Sequence, residues 1–225
     1  MKAIVSTALF VSALGCGSSR LMTEDFRVVP RDPPTGYGQV RFFNAITAYP
    51  PDIYIRDVQR PLIENLGYGF AEGYLELAAQ PYALDVRPSG TSANNAPTYS
   101  QDVTLASQSR STLFYVDSPR FYAVAGDLNR VDPGVLVVFN ASASTLSFDF
   151  GADGSTEIPA LAQFADARAT LPTLQRYPVT VKADGDEILS AVQIPARPEI
   201  GDVVIVVMPD LTVKLLTYSF VVDDL

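Results

Sequence analysis

The sequence contains no histidine and no tryptophan, and it has one cysteine in 225 residues. Without histidine the chain cannot form a Ser-His-Asp or Cys-His nucleophile pair, and it has no imidazole to bind a metal. Most ordinary hydrolase mechanisms are therefore excluded, and no residue pattern indicates a cofactor.

The chain also has few basic residues. Lysine and arginine total 16 against 25 acidic residues, for a net charge of −9, and no basic run occurs. The electrostatic field of a protein with this negative charge repels a phosphate backbone, which argues against a nucleic-acid partner. Hydrophobic residues make up 48% of the chain, enough to fill the core of one large domain or of two smaller ones.

The N-terminal residues have the layout of a secretory signal peptide, which we place at residues 1–15. Lys2 precedes an apolar run from Ala3 to Leu14, and small residues follow. The run is too short to cross a bilayer, which needs roughly 20 residues. The alternative is an ordinary signal peptide with a cysteine nearby by chance.

Ala13-Leu14-Gly15-Cys16 resembles the bacterial lipobox, with Ala13 where leucine is usual. The resemblance implies that Cys16 is the lipid attachment site and that the chain contacts a membrane through its N-terminal lipid. Two or more acyl chains give durable anchoring. Gly17 after the cysteine favours the outer membrane. We therefore expect a lipid-anchored protein of the bacterial cell envelope.

Residues 16–37 are predicted to be the acylated cysteine and a flexible tether. They mix serine, charges and prolines without sustained periodicity. A random coil of this length spans about 25 Å, and proline extends it.

From Gly38 onward short apolar runs alternate with Pro, Gly, Asn and Asp, which predicts an all-β chain. In PYALDVR, residues 81–87, the tyrosine, leucine and valine share one face, whereas Asp85 and Arg87 share the other. RYPVTVK, residues 176–182, repeats this pattern. Both segments are therefore predicted to be half-buried strands.

The chain also repeats itself, because VRFFNA near Asn44 returns as VVFNA near Asn140. Aligned in order, Phe70 falls on Phe164 and Tyr82 on Tyr177. About seven strands in each copy predict two tandem immunoglobulin-like β-sandwiches from an internal duplication, at residues 38–132 and 133–225. A single large barrel is the alternative. A turn at residues 132–134 joins the copies and predicts a fixed angle between them.

Several residues are candidates for a site. Asn44 and Asn140 end equivalent strands, which favours a structural role for their amides. The segment from Asp149 to Glu157 faintly resembles a calcium loop, but its spacing is more typical of a hairpin. No metal site is therefore predicted.

The first copy carries features that the second lacks, and loops that break a repeat are candidate binding sites. Tyr49, beside two prolines, and Tyr68, between two glycines, are expected to be exposed, and such rings can anchor a partner. A long hairpin at residues 88–100 adds further candidates. The predicted partner-binding residues are Tyr49, Tyr68, Asn94, Asn95 and Tyr99.

The sequence resembles a bacterial envelope family, described as a domain of unknown function, that is often found in lipoproteins. The resemblance rests on Phe43-Asn44-Ala45, on Pro-Pro-Asp-Ile-Tyr-Ile at residues 50–55, and on the strand from Tyr82 to Val86. It implies the fold, and it carries no biochemical activity.

These features together predict a non-catalytic envelope lipoprotein that presents loops of its first sandwich to a protein or polysaccharide partner. Two alternatives remain open. The paired sandwiches could serve as a structural spacer, or a pair of carboxylates could hydrolyse a glycan without histidine.

Overall fold

The computed structural model describes residues 32–117, 120–126, 134–151, 155–171, 175–196, 203–216 and 221–224. Every regular element there is a strand, which confirms the all-β prediction, and no helix in these residues could cross a membrane. The strands are β1 Tyr37–Asn44, β2 Pro51–Ile55, β3 Leu75–Ala78, β4 Pro81–Pro88, β5 Tyr99–Thr104, β6 Arg110–Val116, β7 Arg120–Ala125, β8 Gly134–Asn140, β9 Leu146–Asp149, β10 Ile158–Leu161, β11 Asp166–Leu171, β12 Gln175–Ala183, β13 Asp186–Ala196, β14 Val203–Val207, β15 Val213–Leu216 and β16 Val221–Asp224.

The strands form four sheets, two from β1–β7, the first half, and two from β8–β16, the second half. The first half has an inner sheet in the order β3-β1-β6-β7 and an outer sheet in the order β2-β4-β5. The second half has an inner sheet β11-β8-β14-β15-β16 and an outer sheet β10-β9-β12-β13. In each inner sheet the first strand of the half lies parallel to its sixth or seventh, β1 to β6 and β8 to β14. The two halves therefore share one order of strand pairing.

The number of strands differs from the prediction. Among the described residues, the first half has seven strands, as expected, whereas the second has nine, because it adds β10 and β16. Where β10 pairs with β9, the first half has only an isolated bridge between Ile53 and Ile63. The second half ends in two antiparallel strands, β15 and β16.

The predicted alignment is also wrong at one place. The amide of Gly69 donates to the Asn44 carbonyl at 2.8 Å, and the amide of Phe164 donates to the Asn140 carbonyl at 2.7 Å. Gly69 and Phe164 both have positive φ, 72° and 58°. Phe164 is thus the counterpart of Gly69 and not of Phe70, because the backbone turns at this position in both halves.

Each half has an apolar core between its inner and outer sheets. The first is centred on Phe42, Ile53, Leu84 and Leu113, and its members come from both sheets. The second contains Phe148, Val181 and Ile205 in the same arrangement. Each half is therefore a sandwich, as alternation of apolar residues on both sheets requires.

A third apolar cluster joins the two inner sheets to each other. Phe43, Phe114 and Val124 of the first half pack with Phe139 and Val206 of the second. The rings of Phe114 and Phe139 stack with centroids 4.1 Å apart. The four sheets thus lie in layers, with the inner sheets covered on both faces. This arrangement explains the unbroken apolar run of β14, a central strand in which every residue is buried.

The repeated asparagines have the structural role that the sequence favoured. Both are fully buried. The Asn44 amide nitrogen donates to the Leu66 carbonyl at 2.9 Å, and its oxygen accepts from the Ile46 amide at 2.9 Å. Asn140 donates to the Leu161 carbonyl at 3.0 Å and accepts from the Ser142 amide at 2.9 Å. In each half the asparagine ties the end of the first strand to the segment that follows the second.

Candidate functional site

The connection between β4 and β5 is the feature that most separates the two halves. In the second half β12 turns into β13 through Asp184 and Gly185, both at positive φ, as two-residue hairpin turns require. In the first half residues 89–98 lie between the strands, and we call them the long loop. It starts with a turn in which the Thr91 hydroxyl donates to the Pro88 carbonyl at 2.7 Å.

The long loop folds back over the outward face of the outer sheet. Arg87 Nε donates to the Asn95 carbonyl at 3.0 Å. The Gly90 amide donates to Asp52 Oδ2 at 3.2 Å, and the Thr98 amide donates to the Val86 carbonyl at 2.9 Å. These bonds hold the start, the middle and the end of the loop against β2 and β4.

Four side chains on that outward face are buried although they point away from the core. Strand alternation places Asp52, Tyr54, Asp85 and Arg87 there. None is more than 7% exposed. The Arg87 guanidinium lies over the Tyr54 ring at 4.8 Å, and its Nη2 is 3.6 Å from Asp85 Oδ2. Charged side chains are rarely this buried unless they are paired, so the long loop and this network depend on each other.

Asp52 connects the long loop to a second segment at the same end of the sandwich. Its Oδ1 accepts from the Asn65 amide at 2.7 Å, while its Oδ2 accepts from Gly90. Residues 64–70 run from there past the end of β1, where the Phe70 carbonyl accepts from the Asn44 amide at 3.1 Å. We call the long loop and residues 64–70 together the loop end.

The structure corrects the expected exposure of the tyrosines. Tyr49 is half-buried, and its hydroxyl lies 3.0 Å from Thr98 Oγ1 and 2.9 Å from the Tyr115 hydroxyl. Tyr99 is also half-buried, packs against Phe121 and donates to Gln101 Oε1 at 2.7 Å. Burial is the main cause that raises the pKa of both Tyr99 and Tyr115. These rings support the long loop from within, because the two sandwich layers close over them.

Asn94 and Asn95 are where the prediction expected them, exposed on the long loop. Their backbone groups hold the loop, since the Asn95 amide donates to the Ser92 carbonyl at 3.0 Å and the Asn94 amide to Ser92 Oγ at 3.2 Å. The side-chain amides of both residues face solvent on a loop whose backbone is held by hydrogen bonds.

Sequence reasoning missed Phe70. It is the most exposed large hydrophobic residue described, at 61%, and it belongs to the loop end. The sequence alignment paired it with Phe164, whereas in the structure the counterpart of Phe164 is Gly69. The signal was the glycine on either side of Tyr68, which allows the chain to turn and leave the core.

Tyr68 lies apart from the other predicted residues. It packs against the apolar cluster between the halves, and its hydroxyl is buried. Burial and then the Asp210 carboxylate raise the pKa of the Tyr68 phenol to about 12. Tyr68 is therefore half-buried and part of the contact between the halves, and it is not the exposed ring that the sequence predicted.

Because the pKa of Tyr68 is raised, the free energy of unfolding depends on pH in the alkaline range. An unfolded tyrosine titrates near pH 10, so between about pH 10 and 12 only the unfolded state releases the proton. The contribution of Tyr68 is present below pH 10 and is lost as the pH rises through 12. We expect Tyr68→Phe to lose stability less steeply than the wild type over this range, measured by urea unfolding at each pH. Equal slopes would contradict the assignment.

A second cluster of polar side chains is buried in the inner sheet of the first half. The guanidinium groups of Arg41 and Arg110 lie 4.7 Å and 5.3 Å from the centre of the Tyr74 ring. Arg41 Nε donates to Thr112 Oγ1 at 2.8 Å, and Arg110 Nε donates to Gln39 Oε1 at 3.0 Å. Strand register places valines where Arg41 and Thr112 have their counterparts in the second half. The network is structural and specific to the first half.

The carboxylates considered for metal binding or catalysis already serve the fold. Asp149 Oδ1 accepts from the Gly151 amide at 2.9 Å, and Glu157 Oε2 accepts from the Phe150 amide at 2.8 Å. Both belong to the connection between β9 and β10, as a hairpin requires; residues 152–154 lie outside the described part. In the first half Asp52 and Asp85 accept hydrogen bonds from the chain itself, so they are placed to hold the loop end.

The fold and the loop end define a layered β-sandwich protein. Its first half carries a long loop that hydrogen bonds hold against the outer sheet. Residues 38–134 match the model of a family described as "Domain of unknown function (DUF4397)". This match confirms, for these residues, the predicted resemblance to a domain of unknown function. No curated protein matches the chain.

Among solved structures, similarity is found to CBMbc (family CBM26) from Eubacterium rectale Amy13K, crystallised in complex with maltoheptaose. The two share 10% identity over 80% of this chain and 96% of that one, with a TM-score of 0.27. Nothing about a ligand of this chain follows from so low a score. Cys16 and residues 17–31 of the expected tether lie outside the described residues.

Proposed function

We propose that this chain is a non-catalytic protein of the bacterial envelope, anchored through lipid on Cys16, that presents the loop end of its first half to a partner. The observation that carries the proposal is the loop end itself. A buried network of Asp52, Tyr54, Asp85 and Arg87 fixes its backbone, while Asn94, Asn95 and Phe70 project into solvent. A rigid loop loses little conformational entropy when it binds, which favours affinity.

The exposed chemistry favours a protein partner over a polysaccharide. Phe70 supplies one large apolar side chain, and the two amides supply hydrogen bonds, as in an apolar contact with a polar rim. Tyr49 and Tyr99, the rings first considered for stacking on sugars, are half-buried and support the loop from within.

The test is co-sedimentation of the full-length chain with isolated sacculi, outer-membrane vesicles and extracted envelope proteins. We expect retention by the protein fraction, lost on Phe70→Ser and weakened by Asn94→Ala with Asn95→Ala. Gln163→Ala, an exposed residue of the second half, is the control and should bind like the wild type. Intact mass of the same preparation should show a chain that begins at Cys16 with added acyl mass.

Each other outcome decides against part of the proposal. Retention by sacculi that either loop-end variant loses would make the partner a polysaccharide. Retention that no loop-end variant alters would exclude this surface, and a mature chain without lipid would exclude the anchor.

A structural spacer is the second candidate, and the layered packing favours it. The stacked Phe114 and Phe139 and the buried cluster around them hold the two halves together. Such a body keeps a constant length between its ends. The absence of retention by every fraction in the same experiment would favour this function.

A further inference from the structure

The first sandwich is incompletely filled. A cavity of about 190 Å³ lies between its inner and outer sheets, at the end away from the long loop. Its walls include Val40, Phe42, Leu84, Leu105 and Leu113, none more than 7% exposed. Polar side chains also line the space, which is partly open to solvent. Its volume exceeds the roughly 150 Å³ of an apolar cavity that binds benzene. The space therefore suits one aromatic ring.

The cavity opens between the edge strands of the two sheets, β5 and β7. Gln101 of β5 closes the part of this edge that is nearer to the long loop. Its Nε2 donates to the Phe121 carbonyl at 3.1 Å, and its Oε1 accepts from the Phe121 amide at 2.8 Å. Two small residues line the cavity beyond these hydrogen bonds. They are Ala123, which is exposed, and Ser111, which is half-exposed. Two small side chains thus form the entrance.

The second half shows what fills the same space. Val40 pairs with Ser111 as Leu136 pairs with Val203, and Leu113 pairs with Ala123 as Ile205 pairs with Leu215. Val203 and Leu215 therefore occupy the counterpart positions. Both are at most 4% exposed and belong to the core of the second sandwich. The cavity exists because the first half has a serine and an alanine there.

We propose that this cavity is a binding site for a small uncharged molecule with one aromatic ring. The apolar walls take the ring, and the Ser111 hydroxyl at the entrance can pair with a hydroxyl substituent. Asp102 also lines the cavity, in a chain of net charge −9, which disfavours a ligand that carries a carboxylate. The site is separate from the loop end and does not depend on its function.

The test is titration of phenol into the full-length chain, followed by NMR of the leucine and valine methyl groups. We expect saturable shifts at Leu105 and Leu113, and none of comparable size at Val203 or Ile205. Benzoate, the matched anion, should bind at least tenfold more weakly. The variant Ser111→Val with Ala123→Leu, which copies the second half, should weaken phenol binding at least tenfold.

The variant should keep its fold, because it adds apolar volume where the second half already has it. Its thermal midpoint checks this, and Ser111→Val alone provides a second variant if the double change disturbs folding. Phenol shifts that do not saturate, or that survive both variants, would overturn the site. Equal binding of benzoate would overturn its preference for an uncharged ligand.

Discussion

Asn140→Ala is expected to lower the free energy of unfolding by about 4 kcal/mol, since each buried group that loses its partner costs about 1–3 kcal/mol. The Asn140 amide donates to the Ser144 and Leu161 carbonyls and accepts from the amide and hydroxyl of Ser142. Ser142 is fully buried, so water does not replace the lost acceptor there. Urea unfolding followed by circular dichroism measures the change.

Two companion variants make this result specific. Asn44→Ala removes two hydrogen bonds of the same kind and should cost about half as much. Asn94→Ala, on the exposed long loop, should change stability by no more than about 0.5 kcal/mol. If Asn140→Ala matched Asn94→Ala, the amide would not be what holds the end of β8.

Phe114→Ala and Phe139→Ala should each destabilise the protein by about 3–5 kcal/mol. Both rings are essentially buried, at no more than 1% exposure, and they stack on each other across the two inner sheets. Their removal leaves a cavity between the halves. Together the two changes should separate the unfolding of the halves, so that calorimetry shows two transitions where the wild type shows one.

The control is Phe148→Ala, which removes an equally buried ring from inside the second sandwich. It should destabilise by a similar amount without altering the contact between the halves. A double-mutant cycle for Phe114 and Phe139 should show coupling of about 1 kcal/mol, the usual value for a stacked aromatic pair. Two transitions in the Phe148 variant, or one in the double variant, would contradict this role for the cluster.

Tertiary structure decided which polar residues are buried. Alternation correctly places Asp85 and Arg87 on the face of β4 opposite to the apolar residues. From the sequence alone, a face with charged side chains is expected to be exposed to solvent. It is buried because the long loop returns over it, through contacts such as that between Arg87 and the Asn95 carbonyl. The folded arrangement of the loops also decides that Tyr49 and Tyr99 support the long loop and that Phe70 is exposed.

What the sequence by itself determined is local. Alternation with a period of two placed most strands, and the repeated Asn44 and Asn140 marked equivalent strand ends. Only the tertiary structure decided the register at Gly69 and Phe164, the stacking of Phe114 on Phe139 and the cavity at Ser111 and Ala123. The physical reason is that a strand's pattern follows from its own backbone, whereas covering, stacking and unfilled space depend on segments that are distant along the chain.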